Sequence, residues 1–360
     1  HFDTCTDCSV LGCVISLYGD AGIRFHDSIG LNFTGNDITG PSGIVPVDNN
    51  NFAIRSYQQV AGSSNISISE SNISRGGSDN VVTGGAQGIF ASLVERIVIS
   101  GNIVKDVLGQ HGMYLEPWRD CVVDGNIVEG CHLNGIKLQC ALSSDIGESR
   151  KNIVVSNNSV KDCGNVSIEL NIASGAADYF EHAVVTGNTL KGGLTGIYLD
   201  KNRRAIVSNN SISDCGAYGI FSQDFEGRIS DNHIKNTVWA GIATSVTVGI
   251  TVCISGNTLL NVATAADSGS QIRNTAIYSA VGGFLHVNDN IFRRDGTTCT
   301  YAVAATTSLL YMDGGNNFPL DATIRTATDT SNLRAFNDNS VGIIVNAHLP
   351  EDVRQGQGSR

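Results

Sequence analysis

The feature of this sequence that most constrains its fold is a short segment that recurs along most of the chain. The segment consists of apolar-x-apolar-x-(Gly/Asn)-Asn-x-apolar, as at residues 97–103 and 153–158. The second asparagine falls at a series of positions: Asn36, Asn72, Asn102, Asn126, Asn158, Asn188, Asn210, Asn232, Asn257, Asn290 and Asn317. Successive spacings run from 22 to 36 residues. A recurring minimum spacing, which other coils exceed by a variable number of residues, predicts a solenoid of equal coils that carry loop insertions at their corners.

The minimum spacing also predicts what each coil contains. About 22 residues are too few for a pair of helices but accommodate three short strands and their turns. An asparagine at a turn can bond neighbouring backbone and stack on the asparagine of the next coil. Five residues after three of these asparagines stands a cysteine, at Cys131, Cys163 and Cys215. We therefore predict buried thiols inside the coil rather than disulfides.

Composition agrees with many short strands and excludes several classes of partner. The chain has 41 Gly but 5 Pro among 360 residues, and its net charge is −11 without a Lys/Arg cluster. Nucleic acid and anionic membranes are therefore excluded as expected partners. No secretory signal or membrane-spanning apolar run is visible, and the chain opens inside the pattern, which suggests a trimmed piece of a longer protein. Cys5, Cys8 and Cys13 resemble a metal cluster only loosely, so we predict neither metal nor cofactor.

Over roughly residues 15–320, the asparagine-cornered repeat resembles the pectate-lyase-like family of right-handed parallel β-helices. The resemblance implies an all-β, single-stranded solenoid of about eleven coils, which we assign to residues 1–319. Residues 320–360 lose the repeat and are predicted to form a capping or oligomerisation segment, because an open coil end is an exposed sheet edge. The family holds lyases, hydrolases, epimerases and non-enzymatic adhesins, so the repeat leaves the chemistry open.

Strand alternation predicts which side chains point outward and align from coil to coil. One predicted column consists of Phe90, Tyr114, Lys137, Glu169, Tyr198 and Phe221. A second column beside it consists of Ser92, Glu116, Gln139, Asn171, Asp200 and Gln223. Aromatic rings suit the C–H faces of pyranoses, and amides and carboxylates bond sugar hydroxyls. Extra residues at about 141–151 and 172–181 predict loops that flank this strip, which we interpret as a sugar-binding groove.

Two kinds of cleavage chemistry fit the strip. Hydrolysis needs two carboxyl groups, and Glu169 with Asp200 is the preferred pair, because ideal coil geometry places their Cα atoms ~8 Å apart. Glu116 is an alternative for either, and Lys137 would favour the ionised form of one carboxylate. Elimination needs a base and cations, for which the candidate set is Lys137, Tyr114, His111 and Arg119. Trp118 is either a sugar platform or loop packing, and solvated acids on a strand face remain the simplest alternative.

Taken together, these features look like a bacteriophage tailspike depolymerase. That resemblance implies a homotrimer located on a virion tail or otherwise outside the cell, with an extracellular or cell-surface polysaccharide as partner. The predicted activity is endo-glycoside hydrolysis on the outward face of the β-helix. The alternatives are a polysaccharide lyase and a carbohydrate-binding adhesin without catalysis.

Overall fold

The computed structural model describes most of the first three hundred residues and short stretches beyond them. The described residues are 1–16, 21–40, 52–56, 63–74, 87–140, 150–172, 179–245, 250–264, 275–280, 283–293, 301–305, 309–312, 315–317, 323–326, 333–335 and 344–345. Within these ranges the regular elements are β-strands, and no helix is long and apolar enough to cross a membrane. The chain forms two compact units, a first unit of residues His1–Leu194 and a second unit of residues Thr195–Arg360.

Strands of the first unit form three parallel ladders, A, B and C. Ladder A contains Phe2–Asp3, Ala21–His26, Phe52–Ser56, the start of Ile89–Ser100, the start of Met113–Asp124, Ile136–Cys140 and Val166–Ile172. Ladder B contains Ser9–Leu11, Ile29–Thr34, Ser63–Ser69, the ends of the same two long strands, Arg150–Ser156, Phe180–Glu181 and Val184–Thr186. Ladder C contains Val14–Ser16, Asp37–Thr39, Asn72–Ser74, Ile103–Lys105, Ile127–Glu129, Ser159–Lys161 and Thr189–Lys191.

The second unit repeats the three ladders. Its ladder A contains Thr195–Asp200, Tyr218–Gln223, Ala240–Ser245, Thr275–Ala280, Tyr301–Ala305, Thr323–Thr326 and Ile344–Val345. Its ladder B contains Ala205–Ser208, Gly227–Ser230, Thr251–Ser255, Phe284–Asn288, Leu309–Met312 and Leu333–Ala335, and the short strand Asn202–Arg203 precedes it. Its ladder C contains Ser211–Cys215, His233–Thr237, Thr258–Leu260 and Ile291–Arg293. Each unit is a right-handed parallel β-helix, which confirms the predicted fold.

A buried asparagine ladder connects successive coils at the turn between ladders B and C. In the first unit the Asn126 side-chain amide donates to Asn158 Oδ1 at 2.9 Å, and the Asn126 backbone N–H donates to the same oxygen at 3.0 Å. In the second unit Asn232 makes the same two bonds to Asn257, at 2.9 Å and 3.0 Å. Each asparagine thus bonds the next coil twice, once through its side chain and once through its backbone N–H, so the asparagines hold the coils in register.

Two of the predicted ladder positions were wrong by one residue. Ser71, not Asn72, is the buried member: the Asn36 N–H donates to Ser71 Oγ at 3.2 Å, whereas Asn72 is the first residue of an exposed strand end. Likewise Asn316, not Asn317, accepts from Asn290 at 3.2 Å. A serine hydroxyl can accept the same backbone bond as an amide oxygen, so the ladder does not require asparagine at every coil.

Glycine before the first apolar residue of ladder A is required by close packing. A Cβ on Gly112 would lie 2.6 Å from Val128 Cγ1 on ladder C and 2.7 Å from the Gly135 carbonyl oxygen of the next coil. Gly112 therefore lies at a corner where two ladders approach too closely for a Cβ unless their atoms shift.

The cysteines of the repeat are buried free thiols, as predicted. Cys131 and Cys163 lie in the first unit with their thiols in contact, and Cys215 lies in the second unit. Burial raises the pKa of Cys215 to about 12, so this thiol behaves as a small apolar group.

The predicted C-terminal segment lies mostly outside the described residues. Within it, Thr323–Thr326 and Ile344–Val345 extend ladder A, and Leu333–Ala335 extends ladder B. A capping or oligomerisation role for residues 320–360 stays a prediction.

Candidate active site

Ladder A of the first unit carries the outward column that the alternation predicted. The register pairs Phe90 with Tyr114, Tyr114 with Lys137, and Lys137 with Glu169. Met113 is fully buried and Tyr114 is half-buried, which is the inward and outward alternation of a strand. The β-helix therefore places an aromatic ring, an ammonium group and a carboxyl group on three successive coils.

A cavity of about 400 Å³ opens over this column. Its lining residues come from ladder A and from the corner that precedes it, and most are polar: Gln110, His111, Tyr114, Leu133, Asn134, Lys137, Gln139, Asn165 and Glu169. Amide, hydroxyl and charged groups next to an aromatic ring suit a polyhydroxylated ligand better than an apolar one.

Glu169 is the most enclosed charged group of the cavity, with 6% of its surface exposed. The Asn134 side-chain amide donates to Glu169 Oε2, and Lys137 Nζ lies 3.5 Å from Glu169 Oε1. Asn134 is itself fixed, because its Oδ1 accepts the Val166 N–H at 3.2 Å. Each carboxylate oxygen thus faces a donor, which is the condition under which a buried charge is tolerated.

Tyr114 forms the centre of a second set of contacts. Its hydroxyl lies 2.9 Å from Glu116 Oε1 and 2.8 Å from Gln139 Oε1, and Ser92 Oγ donates to the other oxygen of Glu116. Burial, followed by the neighbouring Glu116 charge, raises the pKa of Tyr114 far above its ordinary value. The phenol therefore keeps its proton and acts as a donor, which makes it a poor base for elimination.

His111 is buried at the corner beside Tyr114, with the two ring centroids 5.5 Å apart. Its Nδ1 accepts the Asn134 backbone N–H at 3.3 Å. Burial, with a further contribution from the Lys137 charge, lowers the pKa of His111 to about 3. The imidazole is therefore neutral, and the hydrogen bond at Nδ1 assigns its proton to Nε2. His111 can donate to a ligand but has no free lone pair for proton abstraction.

Ladder A of the second unit carries its own outward residues. The register pairs Tyr198 with Phe221 and Asp200 with Gln223. The Tyr198 hydroxyl donates to Gln223 Oε1 at 2.8 Å, and the Tyr198 and Phe221 rings stack with centroids 5.5 Å apart. The predicted columns thus align within each unit.

Comparison with protein-family models identifies the family. The model described as "Periplasmic copper-binding protein (NosD)" matches residues 47–236 and 148–292, which together cover more than half of the chain. The chain belongs to the NosD family.

Solved structures share the fold of this NosD-family chain at low sequence identity. The Agl-KA catalytic domain superposes with a TM-score of 0.56 at 13% identity, over 94% of this chain and 62% of that one. DFA-IIIase from Arthrobacter chlorophenolicus A6, in complex with GF2, superposes with a TM-score of 0.53 at 12% identity, over 91% and 87%. The Dettilon tailspike protein gives a TM-score of 0.47 at 13% identity, over 94% and 60%. No curated protein matches the chain in sequence.

Some predicted site residues of the NosD-family chain lie away from the cavity or outside the described part. Arg119 lies on ladder B, where its guanidinium contacts Glu95 Oε1 at 2.7 Å. Trp118 belongs to the strand Met113–Asp124, but its side chain is outside the described part of the structure, as are residues 141–149 and 173–178 of the predicted flanking loops at 141–151 and 172–181. Asn171 pairs in register with Gln139, on the second outward column. Glu169 and Asp200 belong to different units, so their pairing stays a prediction.

The corner residues that complete the cavity were not predicted from the sequence. Asn134 contacts both Glu169 and His111, and Leu133, Gln110 and Asn165 line the same space. Strand alternation says nothing about corners, so these positions received no assignment. Their signal in the sequence is a constant offset, because each stands one or two residues before the glycine or serine that begins ladder A.

Proposed function

We propose that this NosD-family chain binds a long polysaccharide and cuts it internally by hydrolysis. The observation that supports the proposal best is the enclosed Glu169 carboxylate, with Asn134 and Lys137 on its two oxygens, at the wall of a polar cavity beside Tyr114. A carboxylate fixed in this way can activate water or attack the anomeric carbon. The open outward face of a β-helix suits a long polysaccharide that extends beyond both ends of the site.

The other groups have roles that follow from their contacts. Glu116 is the second carboxyl group that the described residues place on the outward columns of ladder A in the first unit, and Tyr114 links it to the cavity through a 2.9 Å bond. Asp200, which the sequence analysis preferred, is the alternative proton donor. Gln139 and the Nε2–H of His111 would bond sugar hydroxyls, and the Tyr114 ring would contact a pyranose face.

Elimination is supported less well by the same contacts. A lyase would use Lys137 to neutralise a uronate, yet Lys137 Nζ already lies 3.5 Å from Glu169. Tyr114 keeps its proton, and His111 has its Nδ1 occupied by the Asn134 N–H. Hydrolysis therefore makes better use of the groups present.

Copper, which the family description names, does not fit the described residues. Across the described ranges no group of three or more His, Cys, Asp and Glu side chains is arranged to hold a metal ion. His111, the cavity histidine, has Nδ1 occupied, and the ammonium group of Lys137 stands in the same cavity. The mechanism proposed here therefore contains no metal step.

The family description also supports a location for the proposed reaction. Because the matching model is described as periplasmic, we propose that the chain acts in the cell envelope or outside the cell, where its polysaccharide substrate would be found. The virion tail and the homotrimer remain predictions from the tailspike resemblance.

Incubation with a panel of capsular, O-antigen and exopolysaccharides tests the function. Hydrolysis is expected to shorten chains by size-exclusion chromatography and release reducing ends without the ultraviolet absorbance of an unsaturated uronate. Glu169→Gln is expected to lower that rate by about 10²–10⁴-fold while polysaccharide binding persists. Asp200→Asn and Glu116→Gln identify the second carboxyl group by which of them has a comparable effect.

Glu129→Gln is the matched control, because Glu129 is an outward glutamate with lysine partners on ladder C, Lys161 Nζ at 2.7 Å among them. Hydrolysis at an unchanged rate in Glu169→Gln would refute the proposed role of Glu169. Ultraviolet-absorbing products would establish a lyase, and binding without shortening would establish an adhesin.

A further inference from the structure

The second unit contains a partial copy of the first-unit site on its own ladder A. In both units an outward tyrosine bonds a glutamine on the next coil, 25 residues later and at 2.8 Å: Tyr114 with Gln139, and Tyr198 with Gln223. An acid follows each tyrosine by two residues, Glu116 in the first unit and Asp200 in the second. The frame that presents a phenol beside a carboxyl group is thus built twice.

The catalytic groups of the first unit are replaced in this copy. The residue after the tyrosine in the column is Lys137 in the first unit and Phe221 in the second. The next residue is Glu169 in the first unit and Ala243 in the second. The copy therefore lacks both the ammonium group and the enclosed carboxylate, the two groups that the proposed hydrolysis requires at these positions.

Aromatic rings occupy the corner that is polar in the first unit. Asn165 lines the first-unit cavity from two residues before Ser167, and Trp239 stands at the same offset before Gly241. The backbone confirms the equivalence, because Trp239 N–H donates to the Ala217 carbonyl at 2.8 Å, as Asn165 N–H donates to the Leu133 carbonyl at 2.9 Å.

Three of the aromatic rings on this surface stack on one another, and the Trp239 indole has a different orientation. Phe221 stacks on Tyr198 at 5.5 Å and on Tyr218 at 4.8 Å, with interplanar angles of 25° and 19°. Trp239 meets Tyr218 edge-on, at 5.3 Å and 83°. The three stacked rings turn their faces to one another, whereas the half-buried indole stands nearly perpendicular to them. This edge-on contact holds the indole against Tyr218.

We propose that the second unit binds an uncharged pyranose ring on Trp239, beside Tyr218, and does not cut it. The indole face receives the C–H face of the sugar, and the Gln223 amide NH₂ donates to a hydroxyl. Phe221 replaces the ammonium group that would pair with a uronate, so uncharged sugars are favoured over acidic ones. This inference rests on the proposed function only in taking the ligand to be a saccharide.

The chain has two tryptophans, Trp118 and Trp239. Intrinsic fluorescence therefore reports on this surface alone once Trp118 is replaced. Trp118→Phe combined with Glu169→Gln leaves Trp239 as the sole indole and removes the proposed hydrolysis. Titration with neutral hexasaccharides of glucose, mannose and galactose is expected to shift Trp239 emission saturably, and hexagalacturonate to bind more weakly. Adding Tyr218→Ala is expected to raise Kd about tenfold, the loss typical of one aromatic contact.

Phe284→Ala is the matched control, since Phe284 is an exposed aromatic residue on ladder B of the same unit. It is expected to leave Kd unchanged. The inference is overturned by a flat response to every neutral sugar, by equal affinity for hexagalacturonate, or by equal effects of Tyr218→Ala and Phe284→Ala. A Trp239 response in a protein that shortens no polysaccharide would refute the proposed hydrolysis and support this inference. Shortening of the polysaccharide by the wild type without a Trp239 response would support the proposed hydrolysis and refute this inference.

Discussion

Ladder A presents two different surfaces on the same backbone. In the first unit its outward column contains Tyr114, Lys137 and Glu169, whereas at the corresponding positions the second unit contains Tyr198, Phe221 and Ala243. The inward residues, the corner glycines and the asparagine ladder are the same in kind. The difference teaches that the coil fixes where a side chain points, and that the outward and corner residues distinguish the surface proposed to cut a polysaccharide from the surface proposed to hold one.

Replacing Lys137 and Glu169 with the residues at the corresponding second-unit positions should have the largest effect on polysaccharide hydrolysis. The double variant Lys137→Phe/Glu169→Ala is expected to lower polysaccharide hydrolysis by about 10³-fold or more, because both the proposed carboxylate and its partner are lost. The Trp239 response to neutral sugars should persist. Reducing-end release and fluorescence on the same preparation measure the two outcomes, and a parallel loss of both would show that the two surfaces are not independent.

The asparagine ladder, which both units share, should be equally important in each. Asn158→Ala and Asn232→Ala each remove a side-chain amide whose oxygen accepts two bonds from the preceding coil and whose NH₂ donates one bond to the next coil, so we expect each to lower the free energy of unfolding by about 2–4 kcal/mol. Asn72→Ala is the control, because Asn72 is exposed and Ser71 occupies the ladder. Urea unfolding measures the differences. An equal loss in Asn72→Ala would contradict the ladder as assigned here.

The buried His111 at the corner before ladder A should make the free energy of unfolding depend on pH. His111 has a folded pKa of about 3, below its ordinary 6.5, so the unfolded chain takes up a proton that the folded one refuses. His111 therefore leaves the free energy of unfolding unchanged above pH 6.5 and lowers it as the pH falls towards 3. Between pH 7 and pH 5 this should cost about 2 kcal/mol in the wild type but not in His111→Gln. Unfolding free energies at the two pH values provide the comparison, and equal slopes in both proteins would show that His111 is not buried as a neutral group.

The sequence was sufficient for the fold and for the alignment of the outward columns, because both depend on periods that local residues carry. The asparagine spacing predicted stacked coils, and alternation predicted that Lys137 would neighbour Glu169, which the 3.5 Å contact confirms. The errors at Asn72 and Asn317 came from dipeptides, Ser71-Asn72 and Asn316-Asn317, in which either residue can fill the ladder. Only the pairing across coils decides between them.

The corner of the site was beyond the pattern for a different reason. Asn134 and His111 are buried polar residues whose importance lies in their contacts with another coil, and a spacing rule does not give those contacts. The protonation of His111 and Tyr114 likewise follows from burial beside charged neighbours. Both residues were predicted as candidate groups for elimination, whereas their contacts favour the role of hydrogen-bond donor for each.

In the proposed function, the polysaccharide lies against Tyr114, Lys137 and Glu169 on ladder A of the first unit. A crystal structure of Glu169→Gln with a bound oligosaccharide, prepared from the polysaccharide that the wild type shortens, tests it directly. We expect a glycosidic oxygen next to residue 169 and a sugar ring on Tyr114. Sugar density confined to ladder B or ladder C, with the first-unit cavity empty, would contradict it.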